Sequence, residues 1–189
     1  MNSEPTFTSA EIADLADLDA KTIQNWSSRF GMGATEGGKG KHRLFSFPEA
    51  VLFALMKVLV REFMLGPEAA LRFAEIVTHT GSGQSGWGEK LSGPVRKPML
   101  PFHYRYGTTF LMITPNVALV RPFESSPQEF FGGHVLAVNI TQIFQQVCSR
   151  LSWNAQEILD AAYPHDAGAA DIIDVENSSH NTGDSNASS

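Results

Sequence analysis

Lys21, Thr22, Gln24, Asn25, Ser28 and Arg29 crowd into one short stretch of the chain. Together they offer cationic nitrogens, hydroxyls and paired amide donors and acceptors, the groups that hold DNA phosphates and read base edges in a major groove. Gln and Asn can each pair bidentately with adenine. Chemistry of that kind needs a rigid carrier. Asp19 can cap a helix start by accepting the free N–H groups of a first turn. Ile23, Trp26 and Phe30 then recur at helical spacing, which predicts a helix over 20–30 with those three buried and the polar set turned outward.

A second cationic group follows at once. Gly31, Met32 and Gly33, then Gly37, Gly38 and Gly40, are interleaved with Lys39, Lys41, His42 and Arg43 before the apolar Leu44, Phe45 and Phe47. Glycines at that density favour a tight hairpin tip, so residues 31–43 are expected to form a basic wing that grips flanking phosphates. From Ala20 to Arg43, five Lys or Arg stand against the single Glu36. The candidate DNA-binding set is therefore Lys21, Thr22, Gln24, Asn25, Ser28, Arg29, Lys39, Lys41, His42 and Arg43.

Composition allows this despite the sign of the whole. The chain has 189 residues, is 42% hydrophobic and carries a formal charge of −6. That is enough apolar material for one good core or two small ones. The negative charge is uneven: Asp166, Asp171, Asp174, Glu176 and Asp184 lie beyond Tyr163 with no Lys or Arg among them, and without them the body is close to neutral. Cys148 is the single cysteine, so no internal disulfide forms. Met1 to Thr8 lack the basic and apolar regions of a signal peptide, and a cytoplasmic location is the expectation. The longest apolar run, Ala50 to Val60, is broken by Lys57 and falls short of the ~20 residues of a membrane span.

The elements that must position the polar set follow from local signals. Thr8-Ser9-Ala10-Glu11 is a capping box that opens a helix through about Ala16. Asp17-Leu18-Asp19 makes the turn into the polar helix, with Asp17 where a glycine is usual; Asp tolerates the left-handed backbone better than most residues. Ser46-Phe47-Pro48-Glu49 is a second capping box, predicting a helix to about Leu65 that is apolar round much of its girth and so must meet another helix or subunit. Gly66-Pro67 separates it from a helix over Glu68 to His79. Thr80 to Pro98 is rich in Gly and Ser and reads as a linker. Strands are expected over Phe102–Tyr106, Thr109–Ile113, Val117–Val120 and Val135–Val138, with Thr114-Pro115-Asn116 as a turn, then helices to about Leu151 and over Asn154–Tyr163. From Pro164 the chain is too polar to offset its ordering entropy and is expected to be disordered.

With these residues in view, the part up to about Val77 resembles the MerR-type winged helix. That family's T-L-R-Y-Y, its wing ending in R-x-Y-S and its two further helices are matched by Thr22-Ile23-Gln24-Asn25-Trp26, by Arg43-Leu44-Phe45-Ser46 and by the helices flanking Gly66. The resemblance implies DNA contacts at Gln24, Asn25 and Arg43, with Gln24 and Asn25 standing where the family has Arg and Tyr. Thr22 to Trp26 and the glycines from Gly31 to Gly40 are also similar, locally, to the DNA-binding end of the lambda-type phage terminase small subunit.

Other motifs are weaker. Gly33 to Lys39 matches the opening of a phosphate-binding P-loop, but Gly40 stands where a Ser or Thr should hold magnesium, and neither a buried strand nor a helix start flanks it. Gly81 to Gly86 spells G-x-G-x-x-G after a helix instead of a strand, which suits a linker. The six histidines are scattered with no metal-ligand spacing. Cys148 reads as a small packed residue.

The expected fold is α+β. Its parts are a winged helix-turn-helix domain with extra helices over 1–79, a linker over 80–98, a small mixed α/β unit over 99–163 that dimerises or binds an effector or partner, and an acidic tail over 164–189. The expected function is that of a non-enzymatic transcription regulator binding double-stranded DNA as a homodimer, with no metal, cofactor or membrane. Two alternatives stand beside it: a phage-type packaging or recombination accessory, and a protein-interaction module that keeps the winged fold without binding DNA.

Overall fold

The computed structural model describes residues 5–35, 43–78, 96–114, 118–123 and 134–164. Among them, six α-helices and two three-stranded antiparallel sheets make the fold α+β. The expected linker lies outside the described residues up to position 95, as do the Pro115-Asn116 turn, the tip of the expected wing at 36–42 and the tail from 165.

The chain opens with β1 (Thr6–Thr8), α1 (Ser9–Ala16) and α2 (Ala20–Phe30). The capping box forms as its spacing predicts: Thr8 N–H donates to the Glu11 carboxylate at 2.7 Å, and Glu11 N–H returns the bond to the Thr8 hydroxyl at 3.4 Å. Asp17 takes the left-handed conformation, φ 55°, and lets the chain turn into α2. Ile23 and Trp26 are buried, but Phe30 is only half-buried and Ser27 completes the inward face instead. A hydroxyl can lie there because it donates to the Ile23 carbonyl at 2.6 Å.

Next come β2 (Ala34–Thr35) and β3 (Arg43–Ser46), which pair with β1 in the order β1-β3-β2. β1 has no signature of its own. It is a strand because Phe7 lies opposite Phe45 in the β3 ladder and both are buried.

The helix α3 (Phe47–Arg61) is the centre of the molecule. Every residue from Ala50 to Met56 is buried, as befits a helix that is apolar on all sides. It packs against α1, β3, α4 (Pro67–Thr78) and α5 (Ile140–Arg150), so a helix from the far half of the chain covers the girth left over by the first half. Phe47 and Phe144 meet edge to face, 6.0 Å between centroids. The buried residues of both halves belong to one continuous core. α3 ends at Arg61, earlier than expected, because Met64 goes left-handed (φ 56°) and Leu65 N–H bonds back to the Leu59 carbonyl.

The second sheet has the order β5-β4-β6, from β4 (Thr109–Ile113), β5 (Ala118–Pro122) and β6 (Leu136–Asn139). The strand expected over Phe102–Tyr106 does not form. The His103 ring nitrogen accepts from Arg105 N–H at 3.1 Å, and the backbone closes a single 3-10 turn over Tyr104–Tyr106. A ring that satisfies the backbone of its own turn leaves no ladder to extend. α6 (Ala155–Ala162) closes the described chain, capped by the Asn154 side chain.

Candidate nucleic-acid interface

The structure sorts the predicted site residues into three groups. Lys21, Gln24, Asn25 and Ser28 are exposed on α2, and their side chains make no hydrogen bond or ion pair among the described residues. Their spacing of three, four and seven puts them on one face of the helix, opposite Ile23 and the stacked pair of Trp26 and Phe53. Thr22 and Arg29 border that face but are already engaged. The Thr22 hydroxyl donates to Asp19 at 2.7 Å while its N–H takes the other oxygen at 2.8 Å, so Thr22 serves the helix cap. Arg29 Nη2 lies 2.5 Å from Glu68 Oε1 at the start of α4. Lys39, Lys41 and His42 lie outside the described residues.

Arg43, at the hairpin base, is half-buried and donates to the Met32 carbonyl at 3.3 Å. That base is held by a residue whose reach the sequence did not reveal. One oxygen of Glu49 accepts Ser46 N–H and the Ser46 hydroxyl at 2.8 and 3.0 Å, as its capping-box position predicts. Its other oxygen accepts Gly33 N–H at 2.7 Å and ties β2 to the start of α3. Gly33 has φ +84°, and a Cβ built there would fall 2.7 Å from the Phe45 ring, so only glycine lets the hairpin leave α2 this closely.

The α1–α2 turn is clamped from two sides. Lys57 of α3 donates to the Asp17 carboxylate, and Arg150 at the end of α5 donates to the Asp14 and Leu15 carbonyls, with its other terminal nitrogen 4.0 Å from Asp17. Two helices distant in sequence thus fix the angle at which α2 is presented.

The Asp17 carboxyl is held below its ordinary value of 3.8, first by the hydrogen bond from Lys57 and then by the charges of Lys57 and Arg150. Asp19 is lowered by the Thr22 hydroxyl and then the Thr22 N–H. Between the lowered value and 3.8 the unfolded chain binds more protons than the folded one. The stabilisation from Asp17 is therefore complete above about pH 5 and is lost as pH falls through its folded-state value. Thermal melts taken from about pH 6 down to about pH 2.5 should decline less steeply for Asp17→Asn, which keeps the turn geometry, than for the wild type. Identical profiles would mean that Lys57 does not hold Asp17 in solution.

Elsewhere, His103 Nε2 lies 2.7 Å from Asp160 Oδ1. Because Nδ1 accepts from Arg105 N–H, Nε2 carries the proton and donates it, fastening the 3-10 turn to α6. Burial pushes the Cys148 thiol up to about 11, which makes it a poor nucleophile at neutral pH. Among the described residues no helix is long and apolar enough to cross a membrane. Comparison with protein-family models gives no match, and comparison with curated proteins gives none either.

Proposed function

We propose that this protein is a winged helix-turn-helix regulator of transcription that binds double-stranded DNA, with α2 in the major groove and the 31–43 hairpin along the flanking backbone. The supporting observation is the stripe of Lys21, Gln24, Asn25 and Ser28: four polar side chains with no partner among the described residues, on one face of a helix whose opposite face is locked into the core. An exposed, unengaged polar set at this spacing matches the reach of a recognition helix into base edges. The order β1, α1, α2, hairpin, α3, α4 supports the same reading. In sequence, Lys39 and Lys41 add two cationic charges between β2 and β3. One such module contacts few base pairs, so the protein acts as a homodimer on a two-part site.

Fluorescence anisotropy with duplex pools at several salt concentrations tests this. Lys21→Ala and Lys41→Ala should each lower affinity for every duplex and flatten the dependence of log K on log salt by about 0.9. Asn25→Ala should instead cost about 1–3 kcal/mol on the preferred sequence and little on others. Failure of the wild type to bind any duplex at low ionic strength would reject the proposal.

A further inference from the structure

The ion pair between Arg29 and Glu68 links the one cation of α2 that already has a partner to an acid on a different helix. Arg29 follows Asn25 by four residues and Ser28 by one, so it borders the stripe assigned to DNA. Glu68 sits in the first turn of α4, where the helix dipole favours an anion, and Arg29 in the last turn of α2, where it favours a cation. Each charge is thus settled at its own helix end before the two meet. Both side chains remain more than half exposed, so water screens the pair and it opens readily. The Arg29 guanidinium also lies 5.4 Å from the Phe30 ring centroid, which keeps its stem against the helix.

We infer that Glu68 is an internal competitor for DNA: it occupies the guanidinium that would otherwise engage a backbone phosphate and lays a negative charge beside the docking face. This rests on the DNA-binding role of α2 and adds a limit on its strength. While the pair is closed it is neutral, and Arg29 then contributes no net counterion release. Removing the acid alone turns Arg29 into an additional phosphate contact. Removing the base alone leaves an unopposed carboxylate facing a polyanion.

The test is a double-mutant cycle on the full chain, read by duplex affinity across salt. Glu68→Gln should bind all duplexes about three- to tenfold more tightly at low salt, with a slope steeper by about 0.9. That advantage should shrink about three- to fourfold for each fourfold rise in salt. Arg29→Ala should bind more weakly than the wild type, and Arg29→Ala with Glu68→Gln should return the wild-type slope, because the pair's net charge is then unchanged. A merely structural bridge would lower the melting temperature and leave the slope alone. If Lys21→Ala weakens binding while Glu68→Gln changes neither affinity nor slope, the competitor role is wrong and the DNA-binding role stands. If no variant binds any duplex, both fall together.

Discussion

Phe53→Ala should destabilise the protein by about 3–5 kcal/mol, a large share of the roughly 5–15 kcal/mol that holds a domain folded. The ring is fully buried in the middle of α3 and joins two parts of the proposed interface. On one side it stacks on Trp26 of α2 with planes 3° apart and centroids at 6.4 Å; on the other it meets Phe45 of β3 edge to face at 5.7 Å. Alanine removes the transfer energy of an aromatic side chain and leaves a cavity that three rigid elements cannot collapse to fill. Phe53→Leu, which keeps much of the volume, should cost less than half as much. Urea unfolding followed by circular dichroism gives the comparison. The alanine variant, even where still folded, should lose sequence preference, because Trp26 then has no fixed seat and α2 no fixed angle. A loss below about 1 kcal/mol would mean that α2 and the hairpin do not share this support.

The elements read correctly from the sequence are those whose signals are local. Thr8 with Glu11, and Ser46 with Glu49, are three residues apart, and Asp19 needs only Thr22, so spacing alone finds them. β4 over Thr109–Ile113 is likewise legible locally, from the apolar run Phe110 to Ile113 and the turn signal that follows it. The features that local signals do not encode depend on partners far along the chain. β1 exists through Phe7 opposite Phe45, Glu49 reaches back 16 residues to Gly33, and Glu68 meets Arg29 across 39. No periodicity encodes such pairings, because they are set by how α3 and α4 lie once packed. The polar face of α2 shows the same division. Amphipathic spacing identified its residues, but only the packed structure separates Lys21, Gln24, Asn25 and Ser28 from Thr22, spent on a cap, and Arg29, held by an acid.

Arg96 falls in a Gly- and Ser-rich stretch expected to be a linker, yet it is only 2% exposed. Its Nη1 donates to the carbonyls of Val77, Lys97 and Leu100 at 2.8, 3.1 and 3.0 Å, and its Nη2 donates to the Ile76 carbonyl at 3.1 Å. Ile76 and Val77 belong to the last turn of α4, so one guanidinium satisfies the helix end while its charge meets the negative end of the dipole. Burial pulls the group down to about 10, still well above neutrality, and it remains charged in the folded protein. Tyr163 completes the clasp, accepting from Lys97 N–H at 2.9 Å and donating to the Pro101 carbonyl at 3.0 Å. Arg96→Met fills similar space but takes this donor from four carbonyls at once. The expected cost is about 3–5 kcal/mol, since leaving a single buried acceptor unsatisfied already costs about 1–3 kcal/mol. Arg96→Lys keeps the charge without the fork and should recover only part of that loss. Hydrogen exchange should place the first opening at the end of α4 and the 96–101 segment, ahead of α2. If Arg96→Met instead unfolded with the wild-type midpoint, the guanidinium would not be what fastens the end of α4 to the 96–101 segment.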